Sequence, residues 1–178
     1  MGDSLSAAYG IDKQSGWVAL LQQRLQQQSL GYQVVNASIS GDTTRGGLSR
    51  LPAALRRESP AVLVLALGAN DGLRGFTPER TRDNLRQMIE QARNAGASVL
   101  LLGIKLPANY GSVYGEKFHR VYLDLANEEE VHLVPFFLEG VAETRELMQA
   151  DGIHPGVQAQ PRILDNVWAG LAPLLNER

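Results

Sequence analysis

The sequence predicts an α/β fold, a central parallel sheet with helices on both faces. Two observations carry it. Ala61–Leu67 and Ser98–Ile104 are short, almost wholly apolar runs, and such runs fit strands buried on both faces better than helices. Between them and around them lie amphipathic stretches long enough for several helical turns. A repeated strand–helix order requires crossover connections, and therefore parallel pairing. At 178 residues, 44% apolar and 20% charged, the chain is expected to form one domain over residues 1–178 with a sizeable core.

Trp17, Leu20, Leu21 and Leu25 recur at a helical period, with Ser15 as the expected N-cap and Gly31 as the stop. Gln33–Ala37 reads as a short strand and Ser38–Thr44 as a loop of turn formers. Leu48, Leu51 and Leu55 mark a helix to about Glu58, with Pro52 in a first turn or at a kink. After Ala61–Leu67 comes the loop Gly68–Phe76. Thr77 and Pro78 then open a helix as N-cap and first residue, with Leu85, Met88, Ile89 and Ala92 on its buried face. Beyond Ser98–Ile104, Lys105–Gly115 is a loop, and Phe118, Val121, Tyr122 and Leu125 make a helix. Val131–Pro135 is the last strand, followed by a short helical piece over Glu139–Met148. Ile163, Leu164, Val167, Trp168 and Leu171 give a C-terminal helix. The polar loops at 38–44, 68–75 and 105–111 each follow a strand, so they share the sheet edge where α/β proteins bind ligands.

Composition narrows the function. The net charge is −2, from 17 basic and 19 acidic residues, so the chain lacks the concentrated basic face of a nucleic-acid binder. Without cysteine there is no disulfide, no thiolate nucleophile and no Cys-ligated metal. No apolar run reaches the ~18 residues of a membrane span, so no stable membrane anchor is expected. No signal-peptide pattern stands in this chain. Gly41–Gly46 has the glycines of a phosphate loop, but Gly47 stands where lysine is required, and nucleotide binding is rejected. Asp42 and Asp71 are expected to hold loops rather than a metal.

His119 and His132 fall within regular elements and read as structural. His154 lies in a loop three residues after Asp151. That spacing has two readings. It can place a carboxylate beside an imidazole, fixing its tautomer for work on a hydroxyl. It can equally be a capped turn before the last helix. Ser4, preceded by Gly2 and Asp3, offers a hydroxyl on a tight turn, and the order Ser…Asp…His is a known triad order. No G-x-S-x-G is present. Acyl transfer also needs donors for a developing oxyanion. Gly41 can offer a backbone N–H and Asn70 a side-chain amide.

Gly2-Asp3-Ser4-Leu5, the glycine of Ser40-Gly41-Asp42, Gly68-x-Asn70-Asp71 and Asp151-x-x-His154 together resemble the blocks of the SGNH hydrolases, or GDSL lipases/esterases. Val35–Thr43, Asn70–Gly75, Leu106–Gly111 and Gln149–Pro155 are similar to its bacterial multifunctional thioesterase I/lysophospholipase/arylesterase branch. The resemblance covers the chain from Gly2 onward. It implies a three-layer α/β/α sandwich with a flavodoxin-like parallel sheet, and no cofactor. It implies Ser4 as nucleophile, His154 as base and Asp151 as its orienter, with an oxyanion hole from the Ser4 and Gly41 amides and Asn70. It further implies acyl ester and thioester substrates and a periplasmic or secreted location. The family has an apolar strand directly before Gly-Asp-Ser. Here only Met1 precedes Gly2, so the sheet is expected to lack that first strand, with upstream residues supplying it in the natural gene.

Leu73, Phe76, Leu106, Pro107 and Tyr110 lie in loops on the active edge. They read either as ordinary loop packing or as the wall of an acyl-chain groove. The expected protein is a monomeric serine esterase/thioesterase acting on small acyl substrates. One alternative is a carbohydrate acetyl esterase of the same superfamily. Another is a non-catalytic relic or a domain stabilised by a partner.

Overall fold

The computed structural model describes residues 1–176. Its regular elements are α1 (Trp17–Gln27), α2 (Thr44–Glu58), β1 (Val62–Leu65), α3 (Ala69–Leu73), α4 (Pro78–Asn94), β2 (Ser98–Leu102), α5 (Ser112–Glu128), β3 (His132–Val134) and α6 (Gln160–Asn176). The strands form one parallel sheet in the order β1-β2-β3. Val62 faces Ser98 and Leu65 faces Leu101; Leu100 faces His132 and Leu102 faces Val134. Helix α4 packs against both α2 and α5 as one layer, and α1 packs with α6 as the other. This is the expected three-layer α/β architecture.

The apolar periodicity maps directly onto this packing. Leu85, Met88, Ile89 and Ala92 of α4 are fully buried, as are Leu100, Leu101 and Leu102 of β2. Trp17, Leu21 and Leu25 of α1 share the same core cluster with Ile163, Leu164, Val167 and Leu171 of α6. Thr77 caps α4 by accepting from Arg80 N, and Pro78 stands at its start. Three boundaries differ from expectation, the first being the end of α1 at Gln27, short of Gly31. Gly16 rather than Ser15 precedes α1, because Asp12 caps a separate 3-10 turn over Lys13–Ser15. α2 starts earlier than its leucines suggest, with Thr43 accepting from Gly46 N, and it runs through Pro52 without ending. The piece expected over Glu139–Met148 is reduced to a 3-10 turn at Arg145–Leu147.

The largest departure is at Gln33–Ala37, which is expected to be a strand. Residues 31–39 carry no ladder bonds. Backbone groups turn to the Gln22 side chain instead: Val34 N donates to its Oε1 (2.7 Å) and Tyr32 O accepts from its Nε2 (3.4 Å), while the Asn36 side chain donates from Nδ2 to Ser6 O (2.8 Å). The reason is spatial. Between this segment and β1 lies a cavity of about 200 Å³, open to solvent and lined by Met1, Trp17, Leu21, Val34, Leu55 and Val64 among others. Gln33–Ala37 therefore has no neighbouring strand to pair with. Only the residues nearest the Ser4 turn bridge the gap. Gly2 pairs in parallel with Ala66, with Ala66 N donating to Met1 O (2.9 Å) and Ile39 N to Gly2 O (3.0 Å).

Candidate active site

Ser4 stands where the chain leaves that short pairing. Asp3 is buried, and its carbonyl accepts from Ser6 N (3.2 Å) and Ala7 N (2.9 Å), so the backbone reverses around Ser4. Asp3 Oδ1 accepts from Leu5 N (3.0 Å), which fixes the turn from inside. Burial pushes the Asp3 carboxyl up to about 6, against the pull of its hydrogen bond from Leu5 N and the nearby His154. Arg50 ties the same turn to its surroundings: its guanidinium pairs with Asp42 (2.8 Å) and donates to Gly2 O (3.4 Å).

The His154 loop is built by one carboxylate. Asp151 Oδ1 accepts from Ile153 N (2.9 Å) and His154 N (3.0 Å), and its Oδ2 meets His154 Nδ1 at 2.6 Å. The two readings of the D-x-x-H spacing are thus compatible: one oxygen caps the turn and the other holds the ring. The hydrogen bonds from His154 N, the His154 ring and Ile153 N hold the Asp151 carboxyl down at about 2, so it stays ionised at neutral pH. The other ring nitrogen, Nε2, lies 2.9 Å from Ser4 Oγ. Ser4, His154 and Asp151 therefore form one hydrogen-bonded line from residues 150 apart in sequence.

Gly41 and Asn70 arrive on two neighbouring loops. Gly41 has φ +78°, a conformation that glycine adopts without strain, in a turn closed by Asp42 N on Ile39 O (3.1 Å). Asn70 is in the first turn of α3 and donates from Nδ2 to Asp42 O (2.9 Å), with Asp3 Oδ2 at 3.4 Å. Among the described residues, neither the Ser4 N–H nor the Gly41 N–H donates to an acceptor. The Asn70 amide, by contrast, is tied to Asp42 O and, through its longer bond, to Asp3, the residue before Ser4. Asp71, fully buried, accepts from Thr44 N (2.8 Å) and Thr44 Oγ1 and braces these loops.

The remaining candidates take their places on the loops after β1 and β2. Leu106 packs against Gly72, beside Leu73. Arg80 stacks over the ring of Phe76 (4.2 Å), whose carbonyl accepts from Tyr114 Oη (2.7 Å). Leu73, Phe76, Leu106 and Tyr110 are half-buried and Pro107 is exposed. His119 bonds the carbonyl of Ile104 through Nδ1 (3.0 Å), and His132 is exposed on β3. Among the described residues no cluster of three or more His, Cys, Asp or Glu is placed to hold a metal. Sequence reading missed Tyr9, whose ring lies 4.4 Å from the His154 ring, and Gln149, which bonds both active-site segments. Tyr9 is only five residues past Ser4 and Gln149 opens the His154 block, but neither proximity specifies a contact.

The pattern of the GDSL-like Lipase/Acylhydrolase family matches residues 1–160. The chain belongs to that family. It is 59% identical over 175 residues to Esterase TesA of Pseudomonas aeruginosa, covering 98% of this chain and 87% of that protein. It is 48% identical over 176 residues to Thioesterase 1/protease 1/lysophospholipase L1 of Escherichia coli K12, covering 99% and 83%. The crystal structure of TesA superposes with a TM-score of 0.95 at 60% identity, over 97% of this chain and 96% of that one.

Proposed function

We propose that this GDSL-family protein is a serine esterase and thioesterase that cleaves acyl esters and acyl thioesters through an acyl-enzyme on Ser4. Aryl esters, lysophospholipids and acyl-CoA-like thioesters are the substrate types. The single observation that carries the reading is the line Ser4 Oγ–His154 Nε2 (2.9 Å) and His154 Nδ1–Asp151 Oδ2 (2.6 Å). Ser4 Oγ attacks the acyl carbonyl while His154 Nε2 takes its proton, and Asp151 stabilises the imidazolium. The Ser4 and Gly41 amides and Asn70 hold the oxyanion. His154 passes the proton to the leaving alcohol or thiol. Water, deprotonated by His154, then releases the acid and restores Ser4.

The half-buried Leu73, Phe76, Leu106 and Tyr110, with Pro107, are read as the wall against which the acyl chain lies. The names of the relatives support ester and thioester chemistry, and the family resemblance favours a periplasmic or secreted monomer of one domain. No helix among the described residues is long and apolar enough to cross a membrane. Ser4→Ala is expected to abolish hydrolysis of a short-chain aryl ester while leaving the circular-dichroism melt cooperative. Retention of most activity would remove Ser4 from the mechanism. A non-cooperative melt and no turnover in the parent chain would favour the non-catalytic reading.

A further inference from the structure

We propose that Gln149 is a positioning residue that locks the His154 loop onto the Ser4 turn. Ser4 and His154 belong to opposite ends of the chain, and the contact between their segments is sparse. Among the described residues, the hydrogen bonds joining segment 2–10 to segment 147–156 are the Ser4–His154 bond itself and one from Gln149 Nε2 to Tyr9 O (2.8 Å). The first of these is broken and remade in every turnover as the proton moves. Alignment of nucleophile and base then depends on the second.

Gln149 is built for this. The same Nε2 also donates to Pro155 O (3.0 Å), so one amide spans both segments with its two N–H groups. Its backbone holds the base loop as well: Gln149 N donates to His154 O (2.7 Å), and Gln149 O accepts from Gly152 N (2.9 Å). The Tyr9 carbonyl it grips belongs to the residue whose ring rests 4.4 Å from the His154 ring at 39°. Gly10 makes the room, since a Cβ there would stand 2.2 Å from Gln149 Oε1. Both bonds to the amide use backbone carbonyls, so the device requires a donor at position 149 and does not depend on the neighbours' side chains.

This inference rests on Ser4 and His154 as the reacting pair. Its test uses Gln149→Met, which keeps the length and removes the donor, and Gln149→Glu, which keeps the shape and turns a carboxylate onto two carbonyls. Turnover of a short-chain aryl ester is measured per active serine, counted by titration with a phosphonate. A misplacement of the pair should lower kcat by about 10- to 100-fold with KM changed less than ~3-fold. A merely structural role would reduce the number of titratable serines and the melting temperature but leave kcat per serine unchanged. Either variant with kcat per serine within about twofold of the parent overturns the proposal, taking ~1 Å of misplacement to be worth far more. An active Ser4→Ala variant would instead overturn the function on which it rests.

Discussion

Removal of the Asn70 amide tests the proposed oxyanion site most directly. Asn70 Nδ2 is anchored by a 2.9 Å bond to Asp42 O, which fixes the amide plane. Its other contact, with Asp3 Oδ2, is 3.4 Å long, near the limit of a hydrogen bond, and so is easily surrendered to an oxygen that becomes anionic. That geometry predicts a donor used more strongly in the transition state than in the ground state. Asn70→Ala should lower kcat by about 10²- to 10³-fold, equivalent to roughly 3–4 kcal/mol, with KM nearly unchanged. The Ser4 and Gly41 amides remain, so turnover should still exceed the rate in water. The variant also strips a donor from Asp42 O and Asp3, at about 1–2 kcal/mol of stability. The assay is steady-state hydrolysis of a short-chain aryl ester at a temperature well below the melt of both proteins, normalised to titrated serine. A loss of less than about tenfold in kcat, or one confined to KM, would refute an oxyanion role of this size.

Asp3 makes stability depend on pH. Its carboxyl sits at about 6 in the folded chain against a usual 3.8, so between those values the folded state binds the extra proton and stability falls as pH rises. The span is worth about 3 kcal/mol. Urea midpoints at pH 4, 5, 6 and 7 should show that fall in the parent and lose it in Asp3→Asn; identical profiles would disprove the coupling. The cavity beside β1 gives a second stability test. Burial lowers the Met1 α-ammonium from 8.0 to about 5, and that nitrogen donates to Val64 O at 2.7 Å. A five-residue Val/Leu extension fused ahead of Met1 would replace the amine with an amide and lay apolar side chains in the cavity. At about 1.5–3 kcal/mol per buried side chain, less 1–2 kcal/mol of backbone ordering per residue, the net gain is on the order of a few kcal/mol. A Ser/Asn extension of equal length should give none, and equal midpoints for the two would show that the cavity takes no strand.

The sheet and its helical layers were legible because burial in an α/β fold imposes periods that survive in the sequence. Leu85, Met88, Ile89 and Ala92 could satisfy their spacing only on a buried helix face, and Val99–Leu102 only on a strand covered on both sides. Gln33–Ala37 shows the limit of that reasoning. Its residues have the propensity for a strand, but a strand exists only through a neighbour's backbone, and the facing position is a cavity. Local sequence cannot report whether the partner is in place. The helix boundaries that moved were decided by local contacts that several nearby residues could have supplied equally well: Thr43 accepts from Gly46 N at the start of α2, and α1 begins after Gly16 without a side-chain cap because Asp12 caps the 3-10 turn before it.

The candidate site was legible for a different reason: its chemistry restricts residue types at particular turns. Gly2, Gly41, Asn70 and Asp151 each occupy a place where a small residue, a free amide or a capping carboxylate is needed. What sequence leaves out is the means by which the pieces are held. Beside β1 the Ser4 turn borders a cavity rather than packed apolar side chains. The structure distributes that task among polar contacts instead. Ala66 N on Met1 O, Ile39 N on Gly2 O, Arg50 on Gly2 O and Leu5 N on Asp3 Oδ1 fix the turn from four directions. Most of these partners come from outside the turn itself, and Gln149 adds the tie to His154 from the far end of the chain. Hydrogen bonds of this kind stabilise the fold by only about 1 kcal/mol each, yet they are directional where apolar burial is not. A turn held this way can keep its geometry beside an open cavity, so the placement of Ser4 and the stability of the sheet are separable properties of this chain.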